Sequence, residues 1–580
     1  MEDTIEIRED IYINGEAFKI ISGSIHYFRV VPEYWLDRLE KLKAMGCNTV
    51  ETYIPWNLHE PKEGEFCFTE GQDVGKFISL AQELGLYVII RPSPYICAEW
   101  EFGGLPAWLL NKPNMRLRCN CKEFLECVAR YYQHLFRILT PLQLPCGGPV
   151  ILMQLENEYG SFGDDKEYLK NLKDLMLKNG LVVPLVTSDG PNEQCLRDGT
   201  LTEILPTANF GSGAVSGFGE LAKYTNGRPL MCMEFWIGWF DTWRNEMHIK
   251  SDPEANKKEL EDILRLGHVN FYMFHGGTNF GFMNGAIYPD HLRPHVTSYD
   301  YDAPLTEDGQ FTEKYYAFQK VIEKYCTIPQ VPFTTTVKKM HYGTFSVNQK
   351  VSLFSILEDL SEPVFYPDTK SMEQLGQSYG YILYRSNLKK GRYIEKFRLV
   401  DAGDRGIIFA DEEKIAIRYD QELEQDCPLT FQADEIQLDI LMENMGRVNY
   451  GEKLERQRKG ITGGVLMDGK FHFGWNHYPL PLDNLERIDF SKEYVNDTPA
   501  FYRICFEIRE TGDTFMELDG WGKGCVFVNG RNIGRFWEAG PQKRLYIPGP
   551  LLFEGKNEII IFETEGKVGG NILLTDKPKL

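Results

Sequence analysis

The first 330 residues alternate short apolar runs with longer amphipathic stretches. Residues 149–155 and 229–233 are largely apolar runs of the kind found in strands that a parallel sheet buries on both faces. Between such runs, apolar residues recur with helical spacing, as they do from Pro32, which opens a predicted helix, to Gly46, which closes it. The predicted strands are 19–25, 48–53, 86–91, 150–155, 185–188, 205–210, 230–235 and 269–274. Eight strands alternating with helices predict an N-terminal TIM (β/α)8 barrel.

The pattern changes after residue 327. A stretch rich in proline and threonine follows, and beyond it short alternating runs at 380–384, 406–410, 524–528 and 558–562 predict strands joined by turns such as Asn529-Gly530. About 250 residues of this kind predict two β-sandwich or jelly-roll domains. We therefore expect a barrel over residues 1–330, a first all-β domain over 331–450 and a second over 451–580, with β-domain boundaries that can be interwoven.

Charge and composition exclude several classes of function. The formal net charge of −21 and the absence of a long basic cluster argue against nucleic acid or an anionic membrane as a partner. No apolar stretch approaches the roughly 20 residues of a membrane span, and the acidic N-terminus lacks signal-peptide features, so a cytoplasmic location is expected. The 13 cysteines are expected to be reduced, and no metal or other cofactor is predicted. A homodimer is compatible with the sequence, which does not decide the oligomeric state.

Carboxylates follow two of the buried strands, at the edge where a barrel gathers its active site. Glu158 follows the run at 149–155, and Glu234 follows the run at 229–233. Two carboxylates at a common mouth are what hydrolysis of a glycosidic bond requires. Glu156 has the same side-chain direction as Glu158 in an ideal strand, so alternation leaves the choice between them open.

The other strand ends are rich in aromatic and polar residues, which suits a sugar. Carboxylates and amides bind hydroxyl groups at the edge of a pyranose, and aromatic rings cover its C–H faces. The tryptophans that could supply such faces are Trp236, Trp239 and Trp243.

Several segments resemble the signature motifs of the glycoside hydrolase family 35 β-galactosidases, which are retaining TIM-barrel enzymes. The barrel carries ISGSIHYFRV, ETYIPWNLHEP, RPSPYICAEWEFGGLPAWLL, QLENEYGSFG, CMEFWIGWFD, NFYMFHGGTNFGFMNGA and TSYDYDAPLTEDG. Two further segments, ENMGRVNYG and GWGKGCVFVNGRNIGRFW, resemble the C-terminal β domains of the family. The resemblance spans nearly the whole chain and implies that the last domain is a galactose-binding-like jelly roll.

This resemblance implies roles for individual residues. Glu158 becomes the acid/base, Glu234 the nucleophile and Glu156 a supporting residue. The positions that match the galactose subsite of the family are Tyr53, Cys97, Ala98, Glu99, Asn157, Tyr272 and Tyr301. The expected enzyme is an exo-β-galactosidase of a bacterial intracellular type that acts on galactoside oligosaccharides, with β-1,3 as the guessed linkage.

Two other interpretations compete with this one. The chain could be a catalytically silent carbohydrate-binding protein on the same scaffold, which loss of Glu158 or Glu234 would favour, yet both are present. A nucleotide or redox enzyme has only the glycines at 211–217 in its favour, and their spacing is a weak signal. On the leaving-group side, Trp239, Trp243 and Tyr450 are predicted platforms, with packing between barrel and β domains as the equally weighted alternative.

Overall fold

The N-terminal half of the chain is a closed parallel barrel. The computed structural model describes residues 3–92, 94–335, 337–389, 393–430 and 435–580. Each barrel strand pairs in parallel with the next, and the first pairs with the last. The strands are Ile21–Ile25, Thr49–Tyr53, Tyr87–Arg91, Val150–Gln154, Leu185–Asp189, Leu205–Phe210, Met231–Trp236 and His268–His275. The predicted TIM barrel is confirmed.

Helices connect the barrel strands and cover the outside of the barrel. The helix after Pro32 runs from Trp35 to Met45. It ends at Gly46, whose φ of 106° lies in the left-handed region that favours glycine. Asp73 caps a second helix by accepting a hydrogen bond from the Lys76 amide at 2.8 Å. The helices of this half are Trp35–Met45, Trp56–His59, Val74–Glu83, Lys122–Leu139, Lys166–Lys178, Glu193–Gly199, Ala214–Leu221, Pro253–Leu266 and Glu313–Ile322.

The described residues of the remainder are largely β structure, arranged in four antiparallel sheets, and they include one α-helix at Leu353–Leu360. One pair of sheets contains the strands Val364–Tyr366, Tyr381–Lys389, Tyr393–Gly403, Arg405–Ala410, Glu413–Tyr419, Cys427–Thr430, Glu435–Glu443, Gly460–Met467, Lys470–His472 and Trp475–Leu480. The other pair contains Gly343–Ser346, Gln349–Ser352, Ala500–Ile508, Thr514–Glu517, Lys523–Val528, Arg531–Trp537, Arg544–Ile547, Gly555–Glu563 and Asn571–Thr575.

Strand pairing bears on where the two β units begin and end. Trp475–Leu480 pairs with Tyr381–Lys389, so a boundary at residue 450 would separate paired strands. Gly343–Ser346 pairs with Asn571–Thr575, and Gln349–Ser352 pairs with Ala500–Ile508, which brings the start of the region into its last unit. We therefore propose a first unit over residues 364–480 and a second built from 343–352 together with 500–575.

The β region also contacts the barrel through buried polar groups. Arg447, which is fully buried, forms ion pairs with Glu101 of the barrel and with Glu373 of the first β unit. The Tyr95 hydroxyl donates to the backbone carbonyl of Asn449. Residues beyond the barrel thus support the loop that carries Cys97, Ala98 and Glu99.

Candidate active site

The two carboxylates that sequence could not separate lie in different surroundings. The strand ends at Gln154, and both Glu156 (φ 57°) and Glu158 (φ 46°) have left-handed backbone conformations, so strand alternation stops there. Glu156 is fully buried, and Arg118 donates to its two oxygens at 3.1 and 2.9 Å. Tyr168 also donates to Glu156, at 2.8 Å. Glu156 is therefore buried inside the protein, where Arg118 and Tyr168 occupy its carboxylate oxygens.

Glu158 is half-buried, and its Oε1 accepts a hydrogen bond from Asn209 Nδ2 at 3.0 Å. Burial raises its pKa to about 7, and the nearby charge of Glu234 contributes to the rise. The Asn209 hydrogen bond opposes this shift because it favours the ionised form. At neutral pH a substantial fraction of Glu158 is thus protonated and able to donate a proton.

Glu234 lies on the strand Met231–Trp236, where the pairing register shifts on both sides. Its Oε1 accepts hydrogen bonds from Tyr53 Oη at 2.8 Å and from an Arg91 guanidinium nitrogen at 2.6 Å. Its Oε2 accepts one from Trp236 Nε1 at 3.0 Å. Three donors, one of them cationic, thus converge on this carboxylate and fix its orientation.

Asn157 shares Arg91 and the Tyr53 hydroxyl with Glu234. Its Oδ1 accepts from Arg91 at 2.7 Å and from Gln154 at 3.0 Å, and it lies 2.7 Å from Tyr53 Oη, whose one hydrogen is donated either to this oxygen or to Glu234. Its amide group is therefore fixed between the strands that carry Glu158 and Glu234.

The segment Cys97-Ala98-Glu99 forms a tight turn beside these groups. All three residues have a positive φ, between 51° and 55°. Arg29 donates to the Ala98 carbonyl at 2.5 Å, and Asn449 Nδ2 lies 3.4 Å from Cys97 Sγ. Such a run of non-glycine residues persists only where neighbouring groups hold it, and it concentrates at functional sites.

Glu99 and three tyrosines complete a polar and aromatic wall. Burial raises the pKa of Glu99 to about 7, and its Oε2 accepts a hydrogen bond from Tyr299. The rings of Tyr272 and Tyr301 meet edge to face with centroids 5.5 Å apart. The Tyr272 hydroxyl lies 3.2 Å from that of Tyr299. Hydroxyl and carboxyl groups thus alternate with ring surface, as sugar recognition requires.

The predicted platforms separate into two groups. Trp239 is 38% exposed and packs edge to face on Trp236 at 5.7 Å, while Tyr450 is 44% exposed. Burial raises the pKa of Tyr450, and the charge of Glu158 adds to this rise. Trp243 is only 5% exposed and packs with Val296, Met445 and Trp537. Because so little of its surface is exposed, the placement of Trp243 supports the packing alternative.

Sequence reasoning missed several residues that shape the site. Arg91 binds Glu234, Asn209 binds Glu158, Tyr299 binds Glu99, and Glu51 lies beneath Arg91. Arg91 belongs to the strand YVIIR and Glu51 to the strand TVETY. The other residues of both strands are apolar or neutral, so each charge needs a partner. That signal could have identified both of them.

The described ranges show neither a cluster of metal ligands nor a helix that could span a membrane. Within them, no group of three or more histidine, cysteine, aspartate or glutamate side chains is arranged to hold a metal ion. None of the helices in those ranges combines the length and apolar character of a bilayer span. Each of the 13 cysteines is a free thiol.

Comparison with known proteins gives matches along most of the chain. The family models are "Glycosyl hydrolases family 35" over residues 10–325, "Beta-galactosidase, first all-beta domain" over 369–481 and "Beta-galactosidase, galactose-binding domain" over 499–557. Beta-galactosidase-1-like protein 3 of Homo sapiens is 42% identical over 98% of this chain and 88% of its own length. Beta-galactosidase 1 of Dictyostelium discoideum is 39% identical over 94% and 88%. Beta-galactosidase of Xanthomonas manihotis is 39% identical over 92% and 89%.

A parallel barrel with paired carboxylates at the carboxyl ends of its strands defines the class of barrel glycosidases. With these matches, the chain belongs to glycosyl hydrolases family 35 and is a glycoside hydrolase of the β-galactosidase type. The expected bacterial intracellular type is not confirmed, because the relatives include human and slime-mould proteins.

Proposed function

We propose that this protein is a retaining exo-β-galactosidase that releases terminal, non-reducing β-D-galactose from oligosaccharides through a covalent galactosyl-enzyme. The observation that carries the proposal is the unequal environment of the two carboxylates. Burial and the charge of Glu234 raise the pKa of Glu158, whereas three donors surround Glu234. One group is suited to donate a proton and the other to attack as an anion.

In the first step, an oxygen of Glu234 forms a bond to the anomeric carbon. The glycosidic bond breaks, and the leaving oxygen takes the proton of Glu158. In the second step, the ionised Glu158 removes a proton from water, which attacks the anomeric carbon and releases Glu234. This double displacement needs carboxylates about 5 to 5.5 Å apart, which is the geometry that we propose for the loaded site.

The remaining walls fit a galactose ring. Glu99 and Asn157 are placed to bind ring hydroxyls, and Tyr272 and Tyr301 to cover ring faces. We propose that Tyr53 positions the nucleophile, since its hydroxyl lies within hydrogen-bond distance of both Glu234 and Asn157. Trp236, Trp239 and Tyr450 would border the leaving group.

Substitution of the two glutamates tests these roles. Glu234→Gln should abolish turnover and covalent trapping by a fluorinated galactoside. Glu158→Gln should lose most activity on natural disaccharides but retain far more on aryl galactosides whose leaving group needs no proton. Glu246→Gln, which alters an exposed carboxylate, is the control and should behave as the parent protein. Equal loss on both substrate types in Glu158→Gln would contradict the acid/base role.

Stereochemistry tests the retaining mechanism independently. NMR of the first product formed from an aryl β-galactoside should show the β-anomer. Initial formation of α-galactose would indicate inversion and would reject the galactosyl-enzyme.

Linkage preference is a separate part of the proposal. We propose a preference for β-1,3 over β-1,4 and β-1,6 linkages, and this preference rests on the tryptophan-rich rim. Hydrolysis rates on the three galactosyl-N-acetylglucosamine isomers would decide it, and a higher rate on either of the other isomers would reject it.

A further inference from the structure

A third carboxylate lies buried beside Arg91, which also donates to the proposed nucleophile. Glu51, on the strand Thr49–Tyr53, is fully buried inside the barrel. Its Oε2 accepts hydrogen bonds from Ser24 and, at 3.4 Å, from Asn270. Its Oε1 has no hydrogen-bond partner in the described part of the chain and lies 3.8 Å from Arg91 Nε.

Arg91 lies between two carboxylates. One of its terminal nitrogens donates to Glu234 at 2.6 Å, while its Nε, which donates to Gln154 Oε1 at 2.7 Å, lies 3.8 Å from Glu51 Oε1. The charged groups that face Glu51 are Arg91 and Glu234, and its other polar neighbours, Ser24 and Asn270, are neutral. One cation therefore serves two carboxylates in a region of low dielectric, where such interactions are strong.

We propose that Glu51 is a positioning residue for the nucleophile: it shares the Arg91 guanidinium with Glu234 and thereby sets how strongly this cation holds the attacking carboxylate. The inference rests on the proposed function. Attack on the anomeric carbon discharges Glu234, so its attraction to Arg91 weakens in the transition state and adds to the barrier. An ionised Glu51 reduces that attraction beforehand and speeds the attack.

The protonation state of Glu51 makes this effect depend on pH. Burial raises its pKa to about 7, and the charge of Arg91 partly offsets the rise. Below this pH Glu51 is neutral, and Arg91 acts on Glu234 alone. Above it, Glu51 is ionised, and the nucleophile is held less tightly.

The test isolates the nucleophilic step in a Glu158→Ala background, which removes the titration of the acid. The probe is 2,4-dinitrophenyl 2-deoxy-2-fluoro-β-galactoside, whose dinitrophenolate leaves with the bonding electron pair as Glu234 attacks. The inactivation rate should rise about three- to tenfold between pH 6 and pH 8, because one nearby charge changes. With Glu51→Gln added, the rate at pH 6 should be unchanged and the rise should disappear.

Controls separate this effect from packing and from failure of the proposed function. Glu563→Gln replaces a buried carboxyl of similarly raised pKa, about 7, in the second β unit and should leave the rise in place. An inactivation rate that does not change with pH before Glu51 is replaced would overturn the inference. An equal loss of inactivation rate at every pH in Glu51→Gln would also overturn it. Absence of any adduct on Glu234 would instead overturn the proposed function.

A second variant covers the case in which Glu51→Gln does not fold. Ser24→Ala removes a hydrogen bond that favours the ionised form of Glu51. In the same Glu158→Ala background, the rise in inactivation rate should move to higher pH. A rise that stays at the same pH would overturn the inference.

Discussion

Replacement of Asn209 by alanine should move the basic limb of the pH–activity profile to higher pH. Asn209 Nδ2 donates to Glu158 Oε1 at 3.0 Å and favours the ionised form, so its loss raises the pKa of Glu158. A hydrogen bond to a charged group contributes about 1.5 to 3 kcal/mol. One pKa unit corresponds to about 1.4 kcal/mol. Glu158 is half-buried, and water can replace part of the bond, so we expect a shift of about one pH unit.

The assay is kcat/KM on a galactosyl disaccharide from pH 5 to pH 9.5, where activity falls as Glu158 loses its proton. A dinitrophenyl galactoside, whose leaving group needs no proton, should show no such shift. Thr207→Val is the matched control, since Thr207 lies on the same strand and its hydroxyl donates to the Thr187 carbonyl instead. A basic limb that stays in place or moves to lower pH in Asn209→Ala would refute the reasoning.

Three further predictions concern other parts of the site. Tyr53→Phe removes one of three donors to the nucleophile and should lower kcat/KM on aryl galactosides about ten- to a hundredfold, and an unchanged value would contradict the assignment. Trp239→Ala should raise KM for disaccharides and leave the thermal midpoint of unfolding unchanged, whereas Trp243→Ala should lower that midpoint. Kinetics would measure KM, and differential scanning calorimetry would measure the midpoint. Arg118→Leu leaves Glu156 buried without its cation and should destabilise the barrel by about 3 to 5 kcal/mol, seen as earlier loss of far-UV circular dichroism in denaturant.

The barrel could be predicted because its signals are local. The strand predicted over 205–210 is observed as Leu205–Phe210, and the helix predicted between Pro32 and Gly46 is observed as Trp35–Met45, with Gly46 at its end. Buried parallel strands are apolar throughout, and helix ends depend on adjacent residues, so short windows contain the necessary information.

The remaining features depend on contacts that are distant in sequence. Strand alternation could not distinguish Glu156 from Glu158, because both residues have left-handed backbone conformations. The structure distinguishes them because Arg118 binds Glu156. The burial of Trp243 depends on Trp537, almost three hundred residues later. Likewise, the pairing of Gly343–Ser346 with Asn571–Thr575 links the two ends of the β region, so composition along the chain could not locate the domain boundaries.

Arg447 has a consequence for how this enzyme can change in evolution. A gene fragment that ended after the barrel would lose the cation that neutralises Glu101 and the carbonyl of Asn449 that accepts from Tyr95. The turn at Cys97 would then lose its support, so the barrel is not a transferable catalytic module. Recombination among relatives would have to exchange both halves together, whereas exposed rim residues such as Trp239 could vary one at a time.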